Sequence, residues 1–270
     1  MSLKPRLALL NAMRTTGYGG GVIQSHRAMR TERFTRVRWV EIIGLPLLFD
    51  LILLQFLPQL MQFWQWLTAW SIVVSSVPAD LSSQVIAGWP LRPMIALPWL
   101  ELSATVPSYW QWWLNCLACV LLFVLSFLVN KENTPLRYVL RLIVIVHGSA
   151  CLYFACFPAW FAHSLPEYHH TCLETVLILT FLVPWIHSIT FNILNKSIVE
   201  KILLTAISMA YLLLEAPLHY FLAALVMHFG SLMFMPLLFI LFSLMLNVMM
   251  LIAFYAWAMS WEFGSSHQSS

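Results

Sequence analysis

Six apolar stretches, nearly free of charge and each about 20 residues or longer, limit what this chain can fold into. They lie near residues 40–63, 109–129, 138–160, 172–191, 202–225 and 232–255. A helix of about 20 residues, rising 1.5 Å per residue, crosses roughly 30 Å of hydrocarbon. The last two stretches form one run too long for a single span, broken near His228, Gly230 and Ser231. Composition agrees, with 61% of residues hydrophobic and 9% charged, where a soluble domain has about 45–50% and 25%. The expected fold class is all-α, a polytopic transmembrane bundle of about six spans. Residues 1–38 read as a basic juxtamembrane arm, 39–260 as the membrane domain and 261–270 as a short tail.

The cations set an orientation. Of the 14 Lys and Arg residues, all but Arg92 fall in the arm or in the connections after the second and fourth stretches. Six alternating spans put these on one side, which the positive-inside rule makes cytoplasmic. Both termini are then cytoplasmic, as in a multi-pass protein of a bacterial inner membrane. Arg27, Arg30 and Arg33 recur every third residue and, with Arg36 and Arg38, read as contacts to anionic lipid headgroups. The arm abuts a span, so lipid rather than nucleic acid is its expected partner. The glycines between Gly17 and Gly21 lack the Lys-Ser/Thr of a phosphate loop and read as a hinge. The run from Leu7 to Met13 is too short and broken for a cleavable signal.

Tryptophan supports the same arrangement. Trp64, Trp66, Trp70, Trp110, Trp112, Trp113 and Trp160 cluster at expected outer ends, where indole favours the headgroup level. Residues 67–108 are too apolar for a free loop and hold five prolines. They are expected to form an outer surface cap with a short helix around Asp80 to Ile86. A re-entrant segment is the alternative.

Four groups of residues invite a chemical reading. Asp50 and His147 lie at similar depth in the first and third spans, and an ionisable pair at membrane depth marks a function or an interhelical link. Glu215 and His219 share a helical face beside Pro217 and are the candidate catalytic pair. His163, His169, His170 and Glu174, with Glu167 and Cys172, are metal-ligand types at short spacing but match no established motif. A wet interfacial loop is the plainer reading of that group. Cys116 and Cys119 form a CxxC inside the second span, while Cys151, Cys156 and Cys172 also fall in outer halves. Thiol–disulfide chemistry is one reading and packing by a small hydrophobe the other. None of these patterns implies a particular cofactor.

Function follows only at the level of class. The leading expectation is a non-catalytic accessory or scaffold subunit of an envelope-assembly, secretion or polymer-export system, with other membrane proteins as partners. A membrane-embedded enzyme with an outer-leaflet His/Glu or thiol site is the alternative. A small transporter, motivated by Asp50 and His147, is the third.

Overall fold

A computed structural model describes residues 36–86, 95–193 and 197–259. Arg27, Arg30, Arg33 and the rest of the arm up to residue 35 lie outside the described residues, as does the tail from residue 260. The helices are α1 (Arg36–Ser75), α2 (Tyr109–Leu128), α3 (Thr134–Cys156), α4 (Leu165–Ile193) and α5 (Ile198–Phe229). The last segment, Leu232–Ala258, changes its winding along its length. It has a 3-10 turn at Leu232–Phe234, a short α turn at Met235–Leu237, a π-helical stretch at Leu238–Met245, and α6 at Leu246–Met259. Five of these segments (α1, α2, α3, α4 and the last) are long and apolar enough to cross a membrane. The protein is therefore a multi-pass helical membrane protein. Arg36 and Arg38 fall in the first turn of α1, so helix begins within the expected arm.

The core forms from stripes at helical spacing. On α5, Leu204, Ser208, Leu212, Ala216, Tyr220 and Ala224 are buried at every fourth position. Leu53, Leu57, Met61, Trp64 and Thr68 form the matching stripe on α1, and Leu173, Val176, Leu177, Thr180 and Val183 that on α4. These helices pack on one another, and α5 also meets the last segment. The opposite faces present large apolar side chains such as Leu51, Phe56, Leu182 and Leu222, which suit contact with lipid tails. The α2–α3 hairpin packs beside this core, with α3 against the start of the last segment. At the other end of α1 an ion pair of 2.8 Å joins Lys201 of α5 to Glu41.

Two expectations for the outer region need correction. The helix does not end near Phe63: α1 continues to Ser75 and closes at Ser76, whose φ of 53° is left-handed. Trp64 does not face the outside of the bundle. It is fully buried and its indole N–H donates to the Leu213 carbonyl at 2.8 Å, which ties α1 to α5. The second correction is the cap. Asp80–Ile86 is strand β1, not helix, and pairs antiparallel with β2 (Ile95–Glu101), Asp80 facing Glu101 and Ile86 facing Ile95. A stretch with two serines followed by Val85 and Ile86 favours extended backbone. Pro98 is tolerated because a two-stranded ladder leaves each strand one free edge. β2 lies on α1 and α4, and buries Leu97 and Leu100 there.

The break between α5 and the last segment falls at Gly230 and Ser231. A Cβ on Gly230 would stand 2.6 Å from the Val226 carbonyl oxygen and 2.8 Å from the Phe234 ring. Glycine is required by that approach. The Leu232 N–H donates to the Thr105 carbonyl at 3.0 Å, and His228 Nδ1 meets the Ser103 carbonyl at 2.6 Å. The turn is thereby fastened to the segment that leaves β2.

Candidate functional site: a thiol–imidazole cluster

Helices α2 and α3 are adjacent in sequence and pair directly. A capping box starts α2: the Gln111 N–H donates to Ser108 Oγ, and the Ser108 N–H to Gln111 Oε1. That start places Asn115 and Cys119, four residues apart, on a face toward α3. From α3, His147 and Cys151 project at the same spacing. One ligand atom from each of Cys119, His147 and Cys151 lies within 4.8 Å of the others, and all three residues are buried. Cys116, three residues before Cys119 on α2, is half-buried and lies outside this trio. No cysteine is in a disulfide. The Trp112 indole N–H donates to the Cys151 carbonyl at 2.9 Å and holds the two helices in register.

The imidazole is oriented by a neighbour that sequence reasoning did not find. Asn115 Nδ2 donates to the Gln111 carbonyl at 2.7 Å, so its amide oxygen points to His147 Nε2, 2.9 Å away. An amide oxygen only accepts, which places the ring proton on Nε2 and leaves Nδ1 with a bare lone pair. His147 Nδ1 is buried and has no hydrogen-bond partner. Phe234, from the start of the last segment, stacks on the ring at 4.9 Å between centroids. The arrangement offers two buried thiols and one buried imidazole between two helices. Of the expected residues, Cys119, Cys151 and His147 are thus brought together, and Cys116 is not part of the trio.

Asp50 and His147 do not pair. Asp50 Oδ2 accepts from the Trp185 indole N–H at 2.8 Å, linking α1 to α4, while His147 belongs to the α2–α3 pair. Similar depth in a bundle does not fix which way a side chain faces. The Glu215–His219 pair does form, with 2.6 Å between Oε1 and Nδ1. His219 Nε2 is buried without a partner, and the ring leans on Phe242 of the π-helical stretch.

The histidines before and within α4 are dispersed. His163 is exposed and sits 3.7 Å from Glu167, whose carboxylate also accepts from the Ser164 N–H. His169 is fully buried in the core, and His170 packs edge-on against Trp99 of β2. Glu174 lies one turn further along and is half-buried. A second polar group was not legible in the sequence. The Tyr220 hydroxyl meets Ser243 Oγ at 3.1 Å and accepts from Asn247 Nδ2 at 3.2 Å. Ser243 sits in the π-helical stretch, a rare form of winding that frequently occurs at functional sites.

Comparison with protein families, with curated proteins and with solved structures finds no match.

Proposed function

We propose that this chain is a six-span protein of a bacterial inner membrane, with both termini cytoplasmic, whose working part is the thiol–imidazole centre between α2 and α3. In this reading α5 supplies the sixth span and the centre lies in the outer half of the membrane. The observation that carries the proposal is the convergence of Cys119, Cys151 and His147 beside an amide that orients the imidazole. Cysteines that merely fill space need no oriented imidazole next to them. The chemistry supported is that of sulfur: binding or exchange with a thiophilic ligand at the outer leaflet.

Complementation of a chromosomal deletion tests this, scored by growth and envelope integrity. Cys119→Ser, Cys151→Ser and His147→Ala should each fail to complement, whereas Cys156→Ser, outside the cluster, should succeed. Full complementation by all three cluster variants would remove the reading. Reporter fusions test the topology: sites after Ser270 and within residues 131–136 should report cytoplasm, and one near Pro93 the outside.

A second reading is supported by the far side of α2. Its residues Trp110, Leu114, Leu117, Leu121 and Leu128 are exposed, and α3 is its principal helical neighbour. An accessory subunit would use this face against another membrane protein. A photo-crosslinker at Leu121 should then trap one defined partner in cells, and lipid alone if the face has none.

A further inference from the structure

Resting on the reading of the α2–α3 centre as the working part, its ligand can be deduced from charge and geometry. The donor set is two thiols and one imidazole nitrogen within 4.8 Å of one another. A four-coordinate zinc ion bonds sulfur at about 2.3 Å and nitrogen at about 2.0–2.1 Å, which puts ligand atoms roughly 3.5 Å apart. Small rotations of the cysteine side chains cover the difference. His147 already meets the other requirement of a metal-bound histidine: its second nitrogen is held by a fixed acceptor, Asn115 Oδ1. Its other nitrogen, Nδ1, is buried and has no hydrogen-bond partner, which leaves its lone pair free for a ligand.

Charge selects the valence. In a low-dielectric site the net charge must be close to zero. Two thiolates and a neutral imidazole cancel a divalent cation, whereas a monovalent one would leave the centre negative. We propose that Cys119, Cys151 and His147 form a site for one thiophilic divalent cation, its fourth position left to a neutral donor such as water, with Zn(II) as the ion to test. On binding, two S–H bonds are replaced by cation–sulfur bonds, two protons leave to water, and nothing is oxidised or reduced. Asn115 acts as a positioning residue through His147, and Phe234 shields the ring from the remaining side.

The test uses the full chain purified in mild detergent. One equivalent of Zn(II) should bind per chain, and Co(II) in its place should give the visible bands of tetrahedral thiolate coordination. Zn(II) should protect the thiols of Cys119 and Cys151 from a maleimide while Cys156 stays reactive, a readout that needs no variant. Cys119→Ser and Cys151→Ser should lose binding, and Asn115→Leu should weaken it about tenfold or more. Cys156→Ser should bind as the parent does. Unprotected thiols together with no stoichiometric Zn(II) would overturn the proposal, as would retention of Cu(I) alone. Failure here with cluster variants that still abolish complementation would leave the thiol centre standing without its ion. Stoichiometric Zn(II) with fully complementing variants would do the reverse.

Discussion

At the scale of single residues, the bond between Trp185 and Asp50 shows what an apolar bundle asks of a carboxyl group. One oxygen accepts from the indole, and the other, Oδ1, is buried without a partner. Trp185→Phe keeps the ring and removes the donor, leaving the whole carboxyl group unsatisfied, so it should cost about 1–2 kcal/mol. Asp50→Asn keeps an acceptor oxygen and should cost less. Trp185→Phe combined with Asp50→Leu, which removes the acceptor, should lose less than the sum of the singles, while Asp50→Leu with His147→Ala should be additive. Unfolding in detergent of the single and double variants measures both cycles. Additivity in the first would show that indole and carboxyl do not interact. The same residues mark the limit of what sequence conveys. Hydropathy shows how deep Asp50 and His147 lie, but the direction each faces depends on helix packing. Asn115, an ordinary polar residue in an apolar run, gave no signal of its role. The CxxC was visible, but its partners on α3 depend on a helix pairing that spacing does not reveal.

Among the elements, the junction of α5 with the last segment is the tightest. Alanine at Gly230 would collide with the backbone oxygen of Val226 and with the Phe234 ring. The oxygen cannot retreat, since it accepts the Gly230 N–H at 2.8 Å. Gly230→Ala should therefore destabilise by about 1–3 kcal/mol. Gly44 and Gly148 provide the contrast. Nothing lies within 4 Å of a Cβ at either, and both are inside helices. Alanine there should be neutral or stabilising by up to about 1 kcal/mol. Unfolding midpoints of the three variants decide the matter, and equal midpoints would contradict the crowding at Gly230. The break itself was legible, because glycine and serine interrupt an apolar run. The β-hairpin was not. Its strands are short, its register depends on a connection rich in proline, and its stability comes from lying on α1 and α4.

For the whole molecule, the long apolar helices were readable because lipid imposes a length and a composition that few other environments do. Their orientation rests on charge. Replacing Arg27, Arg30, Arg33, Arg36 and Arg38 together should give a mixed orientation of the first span, because these are the cations nearest its start. Reporter fusions flanking α1 measure it, and a single retained orientation would assign control to the later spans. Chain order also puts the parts of the centre on a clock. During synthesis α2 and α3 emerge early, and His147, Cys119 and Cys151 can meet as soon as they pair. Phe234 and the Leu232–Thr105 bond arrive only after α4 and α5 have been made. Until then one side of the imidazole is uncovered. For the proposed ion, the interval between the birth of α3 and that of the last segment would be a loading window, open without any helix having to move aside.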